Sequence, residues 1–330
     1  MAGLSGGGNY GPKCRKARKA RKNKDMKKIL ITGAGSFIGT SFEKYIQNHP
    51  KAAEYEISVM DTLTGKIVPE PGEEASNKSE KKWDFTGYDV VFHVAGIAHA
   101  DVGKVSEEGK ELYKKVNTDL AIDVAKKAKA AGVKQFIFMS SAIVYGASSP
   151  IGKEKIINKD TKPEPENFYG ESKLNAETGL KELDINPFKV VILRPPMIYG
   201  PGCRGNYNSL RKFALKLPLF PKVKNERSML YIDNLCEFIR LMIDNEESGT
   251  FHPANAELSN TSEMVRLIAN AHGKKIGLVG GFTWLLKIMS HFTGLVNKAF
   301  GNLTYSVELT EYKENYWVCA LEDSIKKTER

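Results

Sequence analysis

Cysteine is scarce in this 330-residue chain, with four in all. Cys14, Cys203, Cys236 and Cys319 form no CxxC pair and have no histidine-rich neighbourhood. That argues against a disulfide framework and against a metal site of the zinc type, and it suits a reducing cytoplasm. Long apolar runs are missing as well: no stretch is apolar for long enough to span a bilayer, so no stable membrane insertion is expected. There is no internal repeat and no sustained heptad, which removes solenoids and coiled coils from consideration.

Acidic residues are in deficit, 39 Asp and Glu against 49 Lys and Arg, for a net charge of +10. The imbalance is local. Residues 1–25 carry eight basic residues against one acid, Asp25, which leaves 41 basic and 38 acidic residues and about +3 for the remainder. A nucleic-acid role would rest on this tail rather than on the body, and none is expected. The tail is rich in Gly, Lys and Arg without hydrophobic periodicity, so it reads as disordered and holds no secretory signal. A transit peptide or a basic arm for an anionic surface are the alternatives. Met26 opens MKKILITG, where a folded domain is expected to begin.

What is present is alternation. Short apolar, β-rich runs at 28–32, 56–60, 90–94, 135–140 and 190–194 are separated by helical patterns at 36–47, 109–131 and 169–183. Continuous apolar strands interleaved with helices predict an α/β fold, a doubly wound parallel sheet covered on both faces. After residue 195 the pattern shifts to Pro/Gly-rich loops and helices at 232–243, 262–271 and 283–300. The expected organisation is a nucleotide-binding domain over 26–195 and a smaller, mainly substrate-binding lobe over 196–330, some segments of which return to the first domain, with ligands in the cleft between them.

Three local patterns carry chemistry. The first strand runs into Gly33-Ala34-Gly35-Ser36-Phe37-Ile38-Gly39 before a helix. Glycines there let the backbone turn sharply and approach a diphosphate, whose charge the helix N-terminus meets; the bland alternative is a tight turn without a ligand. Asp61 ends the second strand 22 residues past Gly39. An acid there accepts hydrogen bonds from ribose hydroxyls and repels a 2′-phosphate, favouring NAD over NADP, unless it only caps a loop. Tyr169 and Lys173 stand four apart on a predicted helix and share a face. An ammonium beside a phenol stabilises the phenolate, which makes Tyr169 a candidate acid/base near neutral pH. Such a spacing also arises by chance as a solvated pair; the glycine turn and the hydroxyls at the end of the 135–140 strand give it weight.

Taken with TGAGSFIG (32–39), FHVAG (92–96), VNTDLA (116–121), SSAIVYG (140–146), YGESK (169–173), LRPPMIYGPG (193–202) and ERSMLYIDNL (226–235), the chain from Met26 onward resembles extended short-chain dehydrogenase/reductases of the NAD-dependent epimerase/dehydratase family. The resemblance implies a Rossmann fold, NAD as cofactor, a nucleotide sugar (most often a UDP-sugar) as substrate, and a homodimer. It implies Tyr169 as proton donor and acceptor, Lys173 as its electrostatic partner and ribose ligand, and Ser141 as hydrogen-bond partner of the reacting sugar oxygen. Asn117 would brace the active-site strand. Val94, Ala95, Gly96 and Pro195 would line the cofactor, with Asp84 and Phe85 near the adenine. Arg227 would contact the diphosphate, and Ala142, Asn206 and Asn208 would border the sugar nucleotide, the two asparagines from a loop.

Two departures from the family pattern stand out. Ser36 replaces the middle glycine of the usual turn, and residues 62–82 lack a clear amphipathic helix. Dehydratases of the group carry an Asp-Glu pair after the catalytic serine or threonine; Ala142 and Ile143 stand there and can move no proton. This disfavours 4,6-dehydration and acid-assisted decarboxylation. Epimerisation at C4 of a UDP-hexose or UDP-N-acetylhexosamine through a keto intermediate is the favoured reading, ahead of a keto-reductase with net redox and of a non-catalytic NAD-binding sensor. His93 reads as structural and His99 as a cleft residue. The apolar stretch 282–292 reads as packing within the lobe or at a subunit interface in preference to lying on a membrane.

Overall fold

The computed structural model describes residues 26–68, 82–97, 106–292 and 294–330. The basic tail and His99 lie outside these residues. A seven-stranded sheet organises the chain. Its strands are β1 (Lys27–Thr32), β2 (Tyr55–Asp61), β3 (Lys66–Ile67), β4 (Val90–His93), β5 (Gln135–Met139), β6 (Lys189–Leu193) and β7 (Gly249–Phe251), in spatial order β7-β6-β5-β4-β1-β2-β3. All neighbours pair parallel except β3, which folds back antiparallel on β2 with Asp61 opposite Lys66. The chain just after β2 thus forms a hairpin, and residues 69–81, within the segment where no amphipathic helix was expected, lie outside the described residues.

Alternate residues of each strand enter opposite cores, as the two-residue period of a strand requires. Ile29, Ile31, Phe92, Ile137, Met139, Val191 and Leu193 face one layer, where α1 (Phe37–Gln47) contributes Phe42 and Ile46. Leu30, Val91, Phe136, Phe138, Val190 and Ile192 face the other, packed on alanines and Leu180 of α3 (Leu120–Ala130) and α4 (Phe168–Lys181). At ~25 cal/mol per Å² of apolar surface, this two-sided burial is the dominant driving term. Helix α6 (Ile232–Asp244) belongs to the first layer through Leu235, Phe238 and Ile239, and β7 extends the sheet, so segments beyond residue 195 return to it.

Several predicted elements differ in form. The helix expected over 109–131 is α2 (Glu107–Tyr113) and α3 joined by a π-helical turn, Lys114–Asp119. Such a turn inserts a residue into the ladder and re-aims side chains. Asn206 and Asn208 lie in the first turn of α5 (Asn206–Lys216) and not in a loop; their polar character masked a helix whose buried face is Tyr207, Leu210 and Ala214. The helix expected over 283–300 is two, α8 (Thr283–Phe292) and α9 (Gly294–Phe300), which follow α7 (Thr261–Ala271).

Candidate active site

The glycine turn leaves β1 at Thr32, and the Gly33 amide donates to the Met60 carbonyl at 3.0 Å, tying it to the end of β2. Gly33 has φ +113°, and a Cβ there would lie 2.8 Å from the Ala95 nitrogen, so only glycine fits between the β1 and β4 ends. Gly35 also has positive φ, with open space beside it. Ser36 N-caps α1, its hydroxyl accepting from the Gly39 amide at 3.1 Å. A Cβ on Gly39 would fall 2.7 Å from that hydroxyl and 3.1 Å from a Val94 methyl. The serine in place of glycine is therefore accommodated by Gly39 and serves as the cap. Phe37 and Ile38 continue from it and pack against the first core layer.

Asp61 uses one carboxylate oxygen to accept the Leu63 and Thr64 amides at 2.7 and 3.2 Å, so it does cap the β2–β3 turn. Asp84 caps a turn through the Thr86 amide at 2.9 Å. Phe85, the next residue, is buried in the second core with Met60 and Val91.

The catalytic candidates gather where β4, β5 and β6 end. Asn117 projects from the π turn and clamps Ile97, accepting its amide at 2.8 Å and donating to its carbonyl at 3.1 Å; it also donates to the Ser172 hydroxyl at 3.1 Å. It thus ties the chain after β4 to α4. Asn167 N-caps α4 by accepting the Gly170 amide at 2.9 Å. A Cβ on Gly170 would sit 3.0 Å from the Ile143 carbonyl oxygen, so the start of α4 lies tight against the turn that Ser141 begins. Ser141 caps that turn, Ala142–Tyr145, and the Ala142 amide donates to the Pro195 carbonyl at 2.9 Å. Ser141, Ala142, Pro195 and the Tyr169 end of α4 are thereby brought together.

Lys173 is buried; its ammonium donates to the Met139 carbonyl at 2.9 Å and stands 4.8 Å from the Phe138 ring centroid. A Cβ on Gly96 would lie 3.2 Å from the ammonium, which therefore faces the strand end that Gly96 keeps open. Burial lowers its pKa to about 8, against the opposing pull of Glu177. Tyr169 packs edge-on to Tyr113, ring centroids 6.1 Å apart. Burial, and then Tyr113, push its phenol up to about 12. Desolvation thus dominates both groups, and the ammonium is held by a carbonyl.

Beneath these groups lies a charged network that sequence reasoning missed. Glu177 is fully buried and receives the Ser140 hydroxyl at 2.5 Å and the Arg194 guanidinium as a fork, with Nε at 3.0 and 3.2 Å from its two oxygens. Arg194 also donates to the Tyr145 hydroxyl at 2.6 Å, which contacts His252 Nε2 at 2.8 Å. The signal was present: Glu177 follows Lys173 by one further helical turn on the same face. His93 bonds Thr32 through Nδ1 at 2.7 Å inside the core, and burial lowers its pKa to about 3, as a structural histidine would show.

Farther along the chain Arg227 reaches the Ser148 hydroxyl and the Ala299 carbonyl at 3.4 and 3.5 Å, and burial lowers its pKa. Asn206 is exposed, and Asn208 donates to the Cys203 carbonyl at 3.1 Å. Among the described residues no hydrogen bond joins the two asparagines to Ser141, Tyr169 or Lys173. No metal-binding cluster of His, Cys, Asp or Glu occurs among the described residues.

A parallel sheet with a glycine turn after β1, and Ser, Tyr and Lys side chains at the β4–β6 ends, defines the Rossmann-type short-chain dehydrogenase/reductase class of enzymes. Within it the chain belongs to the NAD dependent epimerase/dehydratase family, whose model matches residues 29–255. It is similar to a UDP-glucose 4-epimerase of Vibrio cholerae, 30% identical over 86% of this chain and 89% of the relative. It is also similar to an N-acetyl-alpha-D-glucosaminyl-diphospho-ditrans,octacis-undecaprenol 4-epimerase of Escherichia coli O157:H7, 28% identical over 81% of each. Among solved structures, a UDP-glucuronic acid 4-epimerase from Bacillus cereus in complex with NAD matches with a TM-score of 0.64 at 20% identity, covering 92% of this chain and 97% of that one. A dTDP-4-dehydrorhamnose reductase from Clostridium acetobutylicum matches with a TM-score of 0.66 at 19% identity, covering 91% and 98%.

Proposed function

We propose that this enzyme interconverts a UDP-linked hexose or N-acetylhexosamine and its C4 epimer, with NAD retained through the cycle. One observation supports the choice of reaction: Ala142, buried, and Ile143 follow Ser141 in a turn packed against the start of α4, the helix of Tyr169 and Lys173, and fill the places where dehydration would require acids. The turn formed by Gly33, Gly35 and the capped start of α1 fits a dinucleotide diphosphate, since the space beside Gly35 is open and a helix N-terminus meets the charge. When bound, NAD supplies the acceptor and donor of hydride at the sugar carbon.

The chain's own residues then have distinct tasks. Tyr169 takes the proton of the C4 hydroxyl on oxidation and returns it on reduction. Ser141 hydrogen-bonds that oxygen, and Lys173 holds positive charge behind it and the cofactor ribose beside Gly96. Asn117 fixes the strand end and α4 relative to each other. Asp61 keeps one carboxylate oxygen outside its turn contacts, which supports NAD over NADP through repulsion of a 2′-phosphate. Arg227 serves the substrate diphosphate. The names of the Vibrio cholerae and Escherichia coli relatives, both 4-epimerases of diphosphate-linked sugars, support the same substrate class.

The test is to incubate purified protein with UDP-galactose, UDP-glucose and their N-acetylated counterparts, following sugar configuration and NADH absorbance together. Interconversion of epimers without net NADH change is the expected result. Stoichiometric turnover of NADH would assign a reductase, and tight NAD binding without any turnover would leave a cofactor-binding protein.

A further inference from the structure

Helix α8 has two apolar sides. Leu286 is buried against the lobe, whereas Trp284, Leu285 and Ile288 are 63%, 37% and 50% exposed, and Phe282 just before the helix is 46% exposed. The neighbouring segment adds to this. Residues Gly277–Val279 pair in parallel with Leu219–Pro221, and Leu219 and Leu217 are 59% and 37% exposed. Isolated surface leucines need no explanation, but six large apolar side chains on two segments tied together do.

The segments that carry them are basic. Residues 211–225 and 272–300 contain nine lysines and arginines and no Asp or Glu. Arg211 is paired with Glu329 from outside these segments, and Lys274 with the Leu215 carbonyl, but Lys212, Lys216, Lys222, Lys224 and Lys275 are exposed. A symmetric contact with a second copy would press these cations against their own equivalents, which disfavours self-association through this face. An anionic bilayer instead meets both properties: its headgroups attract the lysines, and its acyl boundary receives Trp284 and the leucines.

The face also has a position relative to the site. A Cβ on Gly152 would touch Lys287 at 3.2 Å, and the Ser149 amide donates to the Asn302 carbonyl at 3.0 Å. The loop that leaves the Ser141 turn therefore runs against α8 and the end of α9, on the side where Arg227 reaches Ser148.

We propose that this face seats the enzyme on the surface of an anionic membrane, without spanning it, with the substrate side of the site beside the bilayer. Among the described residues no helix is long and apolar enough to cross a membrane, so the attachment is peripheral. The inference does not depend on which sugar is turned over.

The test uses the full chain, sedimented with vesicles of phosphatidylcholine alone and with one-third phosphatidylglycerol. The Trp284→Ser/Ile288→Ser variant carries the same basic tail, so a difference between the two proteins reads this face. The native protein should partition onto the anionic vesicles, and the variant should bind at least about tenfold more weakly, with unchanged melting temperature and unchanged turnover of a water-soluble UDP-sugar. Brominated lipids should quench tryptophan fluorescence in the native protein but not in Trp284→Phe. Absence of native binding, equal binding by both proteins, or a native dimer that the double variant splits into monomers would overturn the proposal, the last by assigning the face to a subunit contact.

Discussion

Replacing Glu177 by glutamine removes one negative charge from a place with 0% exposure, against a guanidinium whose residue is 5% exposed. Glutamine keeps the shape, but it turns one of two acceptors toward Arg194 into a donor. The Ser140 hydroxyl at 2.5 Å and the forked Arg194 contact at 3.0 and 3.2 Å cannot all survive that change. Breaking a buried pair on one side costs ~3–5 kcal/mol, because the remaining charge stays desolvated. Against a total stability of ~5–15 kcal/mol this is a large fraction, and at roughly 2–4 °C per kcal/mol the melting point should fall by roughly 6–20 °C. Removing both charges, as Glu177→Met with Arg194→Met, should restore part of the loss, since no orphaned ion then remains.

The same substitution has a second, independent consequence. Glu177 opposes the desolvation that lowers the Lys173 pKa to about 8. Without it the lysine loses its proton at lower pH, and the alkaline limb of the turnover profile should move the same way. Calorimetry at neutral pH measures the first effect; a pH–rate profile, with nitrogen NMR of Lys173, measures the second. A melting point within about 2 °C of native, or an unmoved alkaline limb, would refute the account of this network.

Tyr169→Phe should lower turnover by about 10²–10⁴-fold, the usual worth of a positioned acid/base, while stopped-flow NAD binding stays intact. Gly33→Ala places a Cβ 2.8 Å from the Ala95 nitrogen at φ +113°, so titration calorimetry should show strongly weakened dinucleotide binding and melting should drop. Asp61→Asn keeps an oxygen for the Leu63 and Thr64 amides, so stability should change by less than about 1 kcal/mol while the ratio of NADP to NAD affinity rises; loss of stability with no change in that ratio would reduce Asp61 to a turn cap. For Lys173, the folded pKa of about 8 lies below the ordinary 10.5, so the unfolded chain binds more protons between those values. The stability of the native protein relative to Lys173→Met should therefore rise with pH across that window, by up to ~3 kcal/mol, and a flat difference in denaturant titrations would contradict the buried charge.

How much could be read beforehand depends on the range of the interactions involved. The central strands and their covering helices were legible because apolar periodicity is local and each strand alternates between two cores. The glycine turn and the helix that carries Tyr169 and Lys173 were legible because turns and helical spacing act over a few residues. The hairpin after Asp61 and the helix beginning at Asn206 were not, since the first is too short to show a period and the second opens on asparagines that suit a loop equally, and tertiary packing outweighs propensity there.

The amino-acid order by itself determined the parallel α/β architecture, the dinucleotide turn and the residue types available for hydride chemistry, along with the absence of acids at 142 and 143. Only the tertiary structure decided what surrounds those residues. It took Lys173 out of water and placed the Glu177–Arg194 pair beneath the site, and it left one side of α8 uncovered among lysines. Each of these depends on segments far apart in sequence meeting in space, and burial, which sets the cost of a charge and the fate of an apolar face, exists only once they have met.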